Sequence, residues 1–161
     1  MKWLVVITFL LWGTLSFGKQ KTIELMKGVV LYLTEDSIKQ SEFNSHPIIS
    51  RVGDICFIDN KIVFGTDFVL PKTKLTSAYI DIENNKVILD VSFMYSPNIQ
   101  LLTNKSFKTE KVGDKFIITG LFSDGAGLFL VQWIVNKNSS IRSIISNNEN
   151  VYINLFYGHS K

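Results

Sequence analysis

The sequence predicts an all-β fold: one antiparallel sandwich or small barrel, built from sequential hairpins with about eight to ten strands. Three observations predict it. Alanine, the strongest helix former, occurs twice in 161 residues, whereas Ile, Val, Phe, Tyr and Thr are plentiful. Apolar and polar residues alternate with a period of two along several runs, the mark of a sheet with one covered face. Gly, Asn and Asp turn signals separate these runs, and Pro47, Pro71 and Pro97 all fall between them.

The first element is not part of that fold. In "MKWLVVITFLLWGTLSFG", Lys2 precedes an apolar run, and small residues follow at Ser16 and Gly18. Charge, short apolar run and small-x-small make the layout of a secretory signal peptide, removed after Gly18. The uncharged stretch 3–18 has 16 residues, short of the ~20 of a spanning helix. The expected division is therefore a signal peptide at 1–18 and a single β-rich domain at 19–161. A periplasmic or secreted location follows, with membrane contact only if the segment is retained. Lys outnumbers Arg 15 to 2, a bias associated with AT-rich bacterial genomes.

The strands then follow in order. "TIEL" (22–25) pairs with "GVVLYLT" (28–34), and "TEDSIKQSEF" (34–43) has room for a short helix. "DICFIDNKIVFG" (54–65) reads as a hairpin around Asn60-Lys61. In the run 78–93, Ala78, Ile80 and Ile82 share a face with Val87, Leu89, Val91 and Phe93, about a tip at Asn84-Asn85. Strands at 116–122 and 128–135 flank a "SDGAG" loop. The second is apolar at seven of eight positions, so both its faces should be covered. "SIRSIIS" (140–146) follows across an "NKNSS" turn, and "NVYINLFYG" (150–158) reads as a closing strand, with Val151, Ile153, Leu155 and Tyr157 on one face. "RVGDICFI" and "KVGDKFI" use one local solution twice: Gly permits a turn, Asp stabilises it, and a strand follows.

Chemistry is sparse. Ser123-Asp124 could serve a small hydrolase only with a base in reach. The domain offers His46, beside Pro47, and His159, near the end. Ser123 also lacks the G-x-S-x-G setting of an exposed nucleophile. One Cys and two separated His make no zinc spacing. Asp54, Asp59 and Asp67 would need to converge to hold calcium, and no loop has the alternating acidic pattern of such sites. Asp81 and Asp90 flank one hairpin and read as a solvated sheet surface. Cys56, between Ile55 and Phe57, reads as a buried thiol. The formal charge of +3, or +2 without residues 1–18, gives no drive toward nucleic acid. Lys105, Lys108, Lys111 and Lys115 are interrupted by Glu110 and Asp114, as on a solvated hairpin face.

No catalytic, cofactor-binding or metal residue is therefore assigned. The candidate contact surface is Phe93, Met94 and Tyr95, consecutive residues of kinds enriched at interfaces. The expectation is an exported, non-enzymatic binding protein that takes either a protein partner or a small apolar ligand, without a cofactor. A hydrolase using Ser123 and Asp124 and an envelope-associated structural module are the alternatives. A ligand carrier should enclose a cavity; a partner binder should be packed solid and expose an apolar patch.

Overall fold

The computed structural model describes residues 18–122 and 127–158. The expected signal segment, the Ser123-Asp124 pair and His159 lie outside them, save for Gly18. The fold is an all-β sandwich rather than a closed barrel. Among the described residues there are eleven strands in three antiparallel sheets. β1 (Lys19–Met26), β2 (Val29–Ser37), β6 (Thr73–Ile82) and β7 (Asn85–Ile88) form the first sheet in that order. β8 (Phe107–Val112), β9 (Lys115–Phe122), β10 (Phe129–Val135) and β11 (Ser140–Ser146) form a meander opposite it. β3 (Ile49–Val52), β4 (Ile55–Ile58) and β5 (Lys61–Val63) make the small third sheet, inserted between β2 and β6.

The two larger sheets share one core. Leu31 and Ile80 from one face Ile118, Phe122, Phe129, Val131 and Trp133 from the other, all fully buried. Phe122 stacks on Phe129 at 5.4 Å and meets the Trp133 ring edge-on at 6.1 Å. Trp133 Nε1 donates to the Asp90 carbonyl at 2.8 Å, which satisfies the one polar atom of the largest core side chain. Phe43, Cys56, Ile58 and Val63 pack as a satellite core on the third sheet.

The alternation expected over 78–93 holds as far as Leu89, with Ala78, Ile80, Val87 and Leu89 buried, but β7 ends at Ile88 and Phe93, expected on the same face, is exposed. Both hairpin tips, however, sit one residue earlier than their sequences indicate. The turns are Glu83-Asn84 and Asp59-Asn60, each with two consecutive positive φ values (52° and 70°; 51° and 64°), the pattern of type I′ turns. Either register keeps the apolar residues on one face, so periodicity does not separate them. In the first hairpin the Asp81 carboxylate accepts the Asn84 N–H at 2.8 Å and closes the turn. The two Val-Gly-Asp turns do match. Val52 pairs with Ile55 and Val112 with Lys115, across Gly53 (φ 58°) and Gly113 (φ 63°).

Two expected elements are different. The short helix at 34–43 is instead an extension of β2 to Ser37, followed by a 3-10 turn at Gln40–Glu42. The closing strand at 150–158 is a helix: α1 (Glu149–Tyr152) runs into a π-helical turn at Ile153–Tyr157. Asn148 caps it, its side chain accepting from the Asn150 and Val151 amides, a standard helix start with Glu149 in the first turn. Val151, Tyr152, Leu155 and Phe156 are half-buried while Ile153 and Tyr157 are exposed, a helical spacing rather than a period of two. The helix packs on β9 and β10. It thus covers the sheet face that carries Leu130, whose side chain is fully buried away from the core face.

Candidate functional site

The stretch 93–96 splices two sheets together. Phe64 N–H donates to the Phe93 carbonyl at 3.0 Å, and Tyr95 N–H returns to the Phe64 carbonyl at 2.9 Å. On the opposite side, Leu75 N–H donates to the Met94 carbonyl and Ser96 N–H to that of Thr73, both at 2.9 Å. The segment thus lies between β5 and β6, and backbone demand explains its apolar character. Met94 is buried in the main core and Tyr95 is half-buried against Phe43, 6.0 Å between rings. Of the three expected contact residues, only Phe93 presents an exposed side chain; Met94 cannot make an outside contact. Burial holds the Tyr95 phenol above its ordinary range, with Glu42 adding to the effect.

Beside the splice lies a groove of about 460 Å³, walled by Leu75 and Thr76 of β6 and by Asp90, Ser92 and Phe93. Its acidic group is already committed. Asp90 accepts from the Ser92 amide and hydroxyl (2.9 and 2.6 Å) and pairs with Arg142 at 3.1 Å. Partial burial opposes its charge, but the Ser92 hydrogen bonds and the Arg142 guanidinium outweigh that and hold the carboxyl below its usual range. A carboxylate stabilised in this way is a poor proton acceptor near neutral pH. It ties the β7 exit to β11, helped by the bond from the Arg142 guanidinium to the Ser92 carbonyl.

The three acidic residues considered for calcium do not converge: Asp54 and Asp67 line one small hollow, and Asp59 is not part of it. Asp54 and Asp59 sit at opposite ends of β4. Asp59 accepts the Asn44 and Ile48 amides at 2.7 and 3.0 Å, which lower its pKa and pin the loop before β3. Asp54 joins Arg51 (3.7 Å) and the Asn148 side chain (2.6 Å), docking the helix start on the β3–β4 turn. Among the described residues no three His, Cys, Asp or Glu come together as a metal site. His46 is exposed, its ring within 3.3 Å of the Ser45 hydroxyl. Cys56 is buried, and desolvation raises its thiol pKa.

The feature that sequence reading passed over is the loop leaving β5. Phe68, Val69 and Leu70 are 45–62% exposed, three large apolar side chains in succession. Their backbone is held. Thr66 Oγ1 donates to the Val69 carbonyl, the Arg51 guanidinium lies 5.2 Å above the Phe68 ring, and Pro71 behind them is buried. Phe68 itself takes a positive φ of 54°. The run "DFVLPK" was visible as an apolar triplet before proline, but nothing local distinguishes it from a buried strand. Compared with known proteins, the chain matches no family model, no curated protein and no solved structure.

Proposed function

We propose that this chain is an exported, non-enzymatic β-sandwich protein that binds a protein partner through the tip formed by Phe68, Val69 and Leu70. The observation that carries the reading is the tip itself: consecutive exposed apolar residues on a braced loop. An exposed apolar cluster is a common mark of a contact surface, and aromatic side chains are frequent anchors there. The bracing matters because a pre-ordered loop loses less entropy on binding.

Packing favours a protein partner over an interior ligand. The side chains between the large sheets interlock with little exposure, and the hollows along the molecule have exposed residues in their walls. Export rests on the charge-apolar-small pattern of residues 1–18.

The test uses residues 19–161 as bait in an envelope extract, with Phe68→Asp and Leu70→Asp beside the wild type. A partner retained by the wild type and lost by both variants, with unchanged circular dichroism, is the expected result. A native mass carrying a few hundred extra daltons through purification would instead make the protein a ligand carrier. Equal retention of the partner by both variants would move the contact away from this tip.

A further inference from the structure

We infer that β3 is a self-association edge, along which two copies of the chain pair antiparallel about Ser50. The inference does not rest on the partner-binding reading above; it comes from comparing the sheet edges. The β1 edge is covered by the 99–101 turn, through bonds from Gln100 Nε2 to the Gln20 carbonyl and from Lys21 Nζ to the Gln100 carbonyl. β7 is bridged to the start of β11, where the Ser140 hydroxyl donates to the Ile88 carbonyl and Asn85 Nδ2 to that of Lys137. β11 carries a bulge at Ser143, skipped between the pairs Gln132–Ile144 and Trp133–Arg142, and β8 carries Lys108, Glu110 and Lys111. Such coverings, bulges and charges are how edges avoid pairing with other chains. β3 ends its sheet and has none of these coverings among the described residues. Its one charged side chain, Arg51, is folded back onto Asp54 and the Phe68 ring.

The phase of the ladder shows which groups the edge offers. Asp59 N–H donates to the Ile48 carbonyl at 2.9 Å, and the two-residue turn closes on Val52 and Ile55. Hydrogen-bonded positions alternate along an antiparallel pair, so Ile48, Ser50 and Val52 direct their backbone groups to β4. Ile49 and Arg51 direct theirs outward. A two-fold axis at Ser50 brings Ile49 opposite Arg51 of the second copy, twice, and forms four backbone hydrogen bonds. In the same register Ile48 faces Val52, Ser50 faces Ser50 and Val52 faces Ile48. Ile48 and Val52 are 73% and 69% exposed, so the pairing covers two of the most open apolar side chains. The pattern is self-complementary, as a two-fold interface requires, and the small residue falls at the axis, where a non-hydrogen-bonded pair brings Cα atoms to about 4.5 Å.

Sedimentation equilibrium on residues 19–161 from about 10 μM to 1 mM should show a reversible dimer, weak because a pairing this short buries little area. Ser50→Lys, on an exposed side chain, places like charges face to face and should weaken the dimer by about two- to fivefold. Ser50→Cys should form a covalent dimer under mild oxidation, because the axis spacing suits a disulfide; the wild type, with Cys56 buried, should not. Ile48→Cys mixed with Val52→Cys should cross-link only as the mixed pair. A monomer at every concentration without a Ser50→Cys cross-link overturns the inference. So does a dimer indifferent to Ser50→Lys, or Ile48→Cys cross-linking to itself.

Discussion

Asp59 and Asp90 show how single carboxylates are used in this chain. Asp59 takes two loop amides, and Asp90 takes two groups of Ser92 and an arginine. Both carboxyls are held below their ordinary values. A carboxyl with a depressed folded pKa stabilises the fold above its unfolded value of about 3.9, and that contribution disappears as pH falls through the folded value. The wild type should therefore exceed Asp59→Asn/Asp90→Asn in melting temperature at about pH 6–7, and the gap should close toward about pH 2. Thermal melts across that range check it, and a gap independent of pH would contradict the assignment. Glu35, buried on β2, accepts the Ile99 amide at 3.1 Å and so ties that strand to the 99–101 turn.

Among the elements, the splice at 93–96 is the most demanding. It must fit between β5 and β6, and Gly65 makes that possible. A Cβ on Gly65 would lie 1.8 Å from the Tyr95 carbonyl oxygen, and its φ is 91°. Gly127 approaches the same point from the other side, where its own Cβ would meet Gly65 at 2.8 Å. Gly65→Ala should thus cost more than about 2 kcal/mol, combining backbone strain with displacement of the splice. Gly53→Ala has a positive φ of 58°, within the left-handed region that other residues can enter, and open space around it, and should cost about 1 kcal/mol. Urea midpoints separate the two. If both variants shift equally, neither close packing nor the wider φ at Gly65 is what selects glycine.

At the scale of the whole molecule, Trp133 joins the two sheets. Its ring lies in the shared core and its N–H reaches back to Asp90 beyond β7. Trp133→Phe keeps most of the apolar volume but leaves the Asp90 carbonyl without that donor, at a cost of about 1–3 kcal/mol. Trp133→Ala adds a cavity and should cost about 3–5 kcal/mol. Trp3 and Trp12 are the other two tryptophans, so in residues 19–161 tryptophan fluorescence reports on this core alone. Unfolding should shift the emission to the red in a single transition. Two transitions, or a Trp133→Phe variant as stable as the wild type by circular dichroism, would show that this residue does not couple the sheets.

The strands were legible in the sequence because a period of two is a property of the extended backbone, printed residue by residue. The run 78–93 as far as Leu89, the run 128–135, the repeated Val-Gly-Asp turn and the burial of Cys56 all follow from neighbours a few positions apart. The C-terminal run misled because Val151 and Leu155 fit both a strand and a helix; the Asn148-Glu149 start was the overlooked signal. What only the tertiary structure decided is everything that joins distant residues. Phe93, Met94 and Tyr95 read as a surface and serve mainly as a splice, because their fate depends on Phe64 and Leu75. The exposure of Phe68, Val69 and Leu70, like the uncovered β3 edge, depends on what the rest of the chain leaves uncovered. Alternation states that a face is apolar; only the assembled sheets determine whether that face meets the core or the solvent.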